Sequence, residues 1–422
     1  MREPIPQVTP FLRLGGREWY LPAALRAFSH RNYRLYWFGQ LISLTGTWMQ
    51  STAQQWLVYR LTGSPLALGT VMFMGSLPAM LFSLFAGVLV DRADKRRLLV
   101  GLQTAMMILA LVLAALTFTG VVEYWHLLVL AALLGLVNTL DMPTRQAFTV
   151  EMVGKEDLMN AIALNSSMFN GARLIGPAVA GLLVAAIGEA PAFLFNGLSY
   201  LAVIAGLLLM RLPPFEPKPG RLRPLADLKE GLGYLVGDRG TLALVLVAAV
   251  PSVFGFPATT LLPVIARDVL GLGADGFGGL LSAIGLGALI GAISLAALGH
   301  YRAKGRLLTA ATFVYSMALA GAAFSRVLPV TLAALALAGW GMITQLATTN
   351  TLVQLHVPDA LRGRVMSAYL WAVVGLAPLG SLIFGSLAEA WGAPTALLTG
   401  ACACLASAAV ALVAFPQVRR ME

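Results

Sequence analysis

The chain has 422 residues, 58% of them hydrophobic and 11% charged, with a mean hydropathy of +0.80 and a formal net charge of +10. A soluble protein carries about 25% charged residues, so most of this surface is suited to lipid and a soluble globular domain is excluded. The cations lie in short links between apolar runs, which argues against nucleic acid as a partner.

Residues 1–32 are basic and hold Pro4, Pro6, Pro10 and Pro22; they read as a cytoplasmic tail, with 25–33 suited to lying on the membrane surface. Arg2, Arg13 and Arg17 precede no apolar stretch with a small-residue cleavage site, so no signal peptide is expected. Six spans are predicted near 33–59, 66–90, 98–119, 125–142, 161–187 and 192–210, each about the ~20 residues a bilayer requires. Together they form an N-terminal six-helix bundle over 33–210. Residues 211–239, with Pro213, Pro214, Pro217, Pro219, Pro224 and six cations, read as a cytoplasmic linker. A second bundle over 240–415 offers spans near 241–266, 276–298, 307–325, 328–350, 364–388 and 395–415, followed by a short cytoplasmic tail at 416–422. Pro251, Pro257 and Pro263 predict a kinked seventh span. The fold class is therefore an all-α polytopic membrane protein of twelve helices in two six-helix bundles.

Of the 29 lysines and arginines, 25 fall in the tails and in alternate links. Arg60, Arg267 and Arg326 fall on the other side, and Arg173 within a span. The bias places both termini in the cytoplasm, and an even number of spans agrees. Cys402 and Cys404, at i and i+2 of the last span, cannot face each other on a helix and read as packing residues. His30, His126, His300 and His356 form no ligand spacing, and neither a P-loop nor a nucleophile elbow is present. No cofactor, metal site or enzyme activity is expected.

Polar side chains inside spans are the candidates for function. Gln40, Ser43, Thr47, Gln50 and Gln54 recur at spacings of three and four, one face of a helix. They either hydrogen-bond between helices or form a cavity wall, which Gln55 and Trp48 would extend. Arg173, with Ser166 and Asn170 on the same face, is read as the one cation well inside a span. It is either a hub for carbonyls near Gly176 and Pro177 or a contact for an anionic or carbonyl-bearing substrate. Asn138, Asp141 and Arg145 share a face near the end of span 4, where Pro143 is expected to break the helix. Arg145 is a plausible partner for Asp91, and Asp141 for a basic residue of the 92–97 loop. In the second half, Gln345, Thr348 and Asn350 with Trp340, Tyr369 and Trp371 either complete a cavity or pack and anchor, with capping of its helix the alternative role for Asn350.

Between spans 2 and 3 stand Gly87, Asp91, Arg92, Lys95, Arg96 and Arg97. This loop resembles the signature loop of the major facilitator superfamily, and residues 299–306 repeat it without the acid. Pro143 to Ala147, the run 158–166 and Gly176 to Gly181 are similar to the secretion-effector branch, which includes enterobactin exporters and macrolide efflux proteins. The resemblance covers about residues 25–415. Span 5 also resembles the antiporter motif, although Gly171 lies one residue off the expected spacing and Arg173 interrupts it. The resemblance implies a monomeric inner-membrane secondary transporter that exports a small organic molecule, a drug, siderophore or similar metabolite, by alternating access, with the substrate held between the halves. An importer or flippase of a lipid-related or other metabolite on the same fold is the alternative. It also implies Gly87, Asp91, Arg92, Arg96, Arg97 and Arg145 as a cytoplasmic gate, and protons as the driving ion. No acid stands at the middle of a predicted span. Asp141 is the candidate coupling site if span 4 runs deeper than drawn, and otherwise it anchors the gate.

Overall fold

A computed structural model describes residues 12–14, 17–19, 23–212, 224–297, 303–359 and 361–414. Two short strands, β1 (Leu12–Leu14) and β2 (Arg17–Trp19), pair antiparallel ahead of a 3-10 turn at Ala23–Ser29. The first six membrane helices are α1 (Arg31–Thr62), α2 (Pro65–Arg92), α3 (Lys95–Phe118), α4 (Tyr124–Val153), α5 (Leu158–Ile187) and α6 (Ala190–Leu208). An unforeseen helix, α7 (Pro224–Gly237), occupies the end of the expected linker and packs on α13.

The seventh span is broken as its prolines require. α8 (Arg239–Phe254) gives way to a 3-10 segment at Phe256–Leu261, then α9 (Leu262–Val264) and a π-helical turn at Ile265–Val269. α10 (Ala274–Ala297), α11 (Lys304–Phe324) and α12 (Leu328–His356) follow. α13 (Arg362–Leu370) and α14 (Ala377–Trp391) form one span interrupted by a π-helical turn at Trp371–Gly375, and α15 (Ala393–Ala414) is last. Eleven described segments are long and apolar enough to cross a membrane. α1, with 32 residues, has the length as well, and its polar stripe lowers its hydropathy; the count is consistent with twelve.

Local chemistry sets the ends. Gly63 adopts φ 62°, a left-handed conformation that closes α1, and its N–H donates to the Tyr59 carbonyl. Ser64 then caps α2 by accepting from the Ala67 N–H at 3.1 Å, and Pro65 supplies a first-turn residue with no donor to satisfy. Asp94 caps α3 by accepting from Arg97 N–H at 3.1 Å.

In the N-terminal half α1 packs on α5 and α6, α3 on α4 and α6, and α2 on α4; in the other half α12 packs on α10 and α11, and α15 on α8 and α11. The halves meet along α5 with α10 and along α2 with α14. Backbones touch there: a Cβ on Gly181 would lie 2.7 Å from the Ala274 carbonyl, and one on Gly69 2.3 Å from that of Ser381.

Two expected boundaries are corrected. α4 does not stop at Pro143 but continues to Val153, because the orphaned carbonyl one turn back costs less inside a packed helix than an early end would. α12 likewise runs past Asn350 to His356, so Asn350 is not its terminal cap. Residues 298–302, which include the first half of the expected second copy of the signature loop, lie outside the described residues, as does the tail 415–422.

Candidate substrate and coupling site

The longer α4 changes the standing of Asp141. It is not at a span end: it lies well inside the helix and is 3% exposed. Its partner is not the 92–97 loop but Arg145, one turn on along the same helix, whose Nε meets Asp141 Oδ2 at 2.5 Å. Gln103 Nε2 on α3 donates to Asp141 Oδ1 at 2.8 Å, and Arg145 Nη1 donates to Gln40 Oε1 on α1 at 2.7 Å. Three helices thus enclose a chain running Gln103, Asp141, Arg145, Gln40. Arg145 is a second intramembrane cation, which corrects the reading of Arg173 as the only one. At the two ends of the chain, Gln103 Oε1 and Gln40 Nε2 are buried without a partner. Each such atom costs about 1–3 kcal/mol, an arrangement that packing alone does not favour.

A cavity of about 220 Å³ lies between α1, α2, α4 and α6. Thr47, Gln50, Gln54 and Asn138 line it, as does Gln55, while Val58, Leu68, Val71 and Met72 give it an apolar side. Asn196 and Tyr200 on α6 also line it and were not picked out from the sequence. Their polar spacing of four inside an apolar span was the available signal. Asn196 Nδ2 donates to Gln50 Oε1 at 2.7 Å, and Tyr200 Oη lies 3.4 Å from Thr47 Oγ1. Asn138, which lines the cavity, lies three residues before Asp141 on α4, so cavity and ion pair share that helix.

The remaining candidates lie elsewhere. Asn170 donates back to the Ser166 carbonyl at 2.8 Å on its own helix. The Arg173 guanidinium lies over the Trp48 ring at 5.7 Å and donates to Met342 Sδ, across the halves, at 3.9 Å. Among the described residues no carboxylate pairs with it, and the aromatic face takes that place. Gln345 does not line this cavity: its Nε2 donates to the Val247 carbonyl at 2.6 Å. Pro251, four residues on, has no N–H to offer that carbonyl.

In the signature loop, Arg96 donates to the Leu207 and Leu208 carbonyls at the end of α6, both at 2.7 Å, and Lys95 pairs with Glu151 of α4 at 2.7 Å. Arg97 is paired with Asp94 at 3.5 Å and largely exposed. These contacts stay within the N-terminal half. The Asp91 side chain lies outside the described residues. Among the described residues, none outside its own helix would lie within 4 Å of a Cβ on Gly87.

Cross-half contacts concentrate at the far face, opposite the start of α1. Among the described residues, Tyr59 bonds Asp268, Trp56 stacks on Phe277 with ring centroids 6.0 Å apart, and Glu389 accepts from Ser64 Oγ at 2.8 Å and Leu66 N at 3.2 Å. Ser282 donating to the Leu174 carbonyl at 3.0 Å marks about mid-depth.

Two six-helix halves, with one charge pair buried between α1, α3 and α4, are the architecture of a transporter of the major facilitator type. The family described as "Transmembrane secretion effector" matches residues 22–422, and the chain belongs to it. It is 26% identical to the Staphyloferrin A transporter of Staphylococcus aureus over 82% of this chain and 87% of that protein. It is 27% identical to the multidrug efflux pump Tap of Mycolicibacterium fortuitum over 91% and 96%. Among solved structures, a bacterial homologue of the lysosomal transporter Spinster, inward-facing and unoccupied, superposes with a TM-score of 0.69 at 14% identity, covering 92% of this chain and 96% of that one. A POT family transporter superposes with a TM-score of 0.73 at 10% identity over 98% and 99%. At these identities the likeness is one of fold. The chain is a multi-pass membrane transporter of small molecules.

Proposed function

We propose that the protein exports a small organic molecule across the inner membrane by proton-coupled alternating access, working as a monomer with both termini in the cytoplasm. Residues 33–210 and 240–415 act as the two moving halves, joined by the linker 211–239. Far-face closure then corresponds to an inward-facing state, in which no described residue outside its own helix approaches Gly87. In the outward-facing state the halves close over Gly87, Asp91, Arg92, Arg96 and Arg97, and that loop serves as the cytoplasmic gate. The direction, export, is supported by the efflux relatives.

One observation carries the coupling: the Asp141–Arg145 pair is buried inside the bundle on α4, the helix whose Asn138 lines the cavity. When Asp141 takes a proton, Arg145 loses its counter-charge and is free to engage Gln40 and Tyr200 more fully. Proton and substrate are thereby linked through α4 and α6. The pair has a structural role too, since breaking a buried pair costs about 3–5 kcal/mol.

The test uses purified protein in vesicles with an imposed pH gradient and a fluorescent efflux substrate. Asp141→Asn is expected to retain substrate binding and downhill exchange and to lose gradient-driven accumulation. A folded Asp141→Asn protein that still drives substrate uphill on the gradient removes Asp141 from the coupling.

A further inference from the structure

We propose that the cavity between α1, α2, α4 and α6 is a subsite for an uncharged, ring-sized group bearing hydroxyl or carbonyl oxygens, a glycoside being the plainest case. This rests on reading that cavity as part of the substrate site and adds the chemistry it selects.

Size comes first. At about 220 Å³ the cavity falls below the ~300–1,000 Å³ of a pocket that encloses a drug-sized ligand. It takes one ring of a larger molecule, with the rest lying outside.

Charge comes next. No Lys, Arg, His, Asp or Glu lines the cavity. The nearby Asp141 and Arg145 satisfy each other and are turned to Gln103 and Gln40. An ion entering the cavity would give up water and meet no counter-charge, which disfavours anions and cations alike.

Hydrogen bonding then decides between a plain apolar ring and an oxygenated one. Gln50 Oε1 is already used by Asn196, but Gln54 and Asn138 have no hydrogen-bonding partner among the described residues. Two free carboxamides on facing helices supply donors and acceptors together, the pattern that matches hydroxyls and carbonyls. Opposite them, Leu68 and Met72 on α2 present an apolar surface suited to the C–H face of a ring. A site built to hydrogen-bond a hydroxyl rejects the analogue that lacks it more strongly than it rejects a change of size.

The experiment measures binding to the full chain in lipid nanodiscs without a pH gradient, using three probes that share a phenyl ring and differ in the group it carries: phenyl β-glucoside, phenyl phosphate and benzyltrimethylammonium. The glucoside is expected to bind more tightly than either ion by about tenfold or more. Gln54→Leu and Asn138→Leu are expected to weaken it, each with the melting temperature retained. Gln54→Glu provides a reading that misfolding cannot mimic: it should bring benzyltrimethylammonium into the cavity while disfavouring the phosphate. Charged probes that bind as well as the glucoside overturn the proposal. So does glucoside binding that is undetectable, or that neither leucine variant changes. Because no gradient is used, the two readings fail separately. Loss of the neutral preference leaves Asp141 coupling standing, and gradient-independent export leaves the cavity's chemistry standing.

Discussion

The backbone of a transport helix interrupted by proline has to find a donor somewhere, and Gln345 shows where. Pro251 leaves the Val247 carbonyl without its N–H partner, and Gln345 Nε2 on α12 reaches it at 2.6 Å in a buried site. Gln345→Leu should therefore cost about 1–3 kcal/mol, the price of an unpaired buried carbonyl. In a Pro251→Ala background the new N–H takes over that carbonyl, and the same change should cost about 1 kcal/mol less. A double-mutant cycle on detergent unfolding of the full chain checks this, and strictly additive costs would show that the amide serves another partner. The case also marks where sequence reading stops. A polar stripe on α1 was visible from its spacing, but its members do different work. Gln40 holds Arg145, Gln50 holds Asn196, and Gln54 is left to the cavity. Which amide does which is decided by neighbours more than a hundred residues away. Asp141 was visible as a candidate and misplaced in depth, because Pro143 was read as a stop signal when the helix passes through it.

Element ends are where the aqueous face acts on the bundle, and Asp238 is the clearest case. It caps α8 by accepting from the Thr241 N–H at 2.7 Å and the Thr241 hydroxyl at 2.6 Å, and it meets His356 Nε2 at the end of α12 at 3.2 Å. Burial works against its charge, but the Thr241 and His356 bonds outweigh that and hold its pKa below the usual 3.8. A carboxylate with a depressed folded-state pKa contributes stability above the unfolded value and loses it as pH falls through the folded one. Asp238→Ala should accordingly cost about 0.5–2 kcal/mol near neutral pH. The gap between variant and parent should narrow as pH drops below 3.8 in thermal melts of the detergent-solubilised protein. A constant gap down to acid pH would mean the cap acts without its charge. Long apolar runs made the spans legible at this scale, and three prolines made the broken seventh span legible too. α7 was not, because prolines and cations mask a helix whose stability comes from packing on α13, where a Cβ on Gly231 would lie 2.3 Å from the Arg364 carbonyl.

At the scale of the whole molecule, the balance between the two facing states rests on what each closed face gains. The far face gains two kinds of contact. Helix backbones meet at glycines along α5 with α10 and α2 with α14, while carboxylates of one half bond groups of the other. Glu389 is the more telling of these, because it reaches from α14 to the N-terminus of α2, where the helix dipole favours an anion. Arg60 with Glu189, at 2.7 Å, stays within one half and should not affect the balance. Hydrogen bonds to a charged group are worth about 1.5–3 kcal/mol each. Combining Tyr59→Phe with Glu389→Ala should therefore move the population toward far-face opening by about tenfold or more. Spin labels at Val121 and Val327, both exposed and in opposite halves, report that face directly. The double variant should show a growing population at longer distance in a pulsed dipolar measurement, with Arg60→Ala as the unchanged control. An unaltered distance distribution would assign the closure to the glycine contacts alone, and Gly181→Leu would then be the change that opens the face.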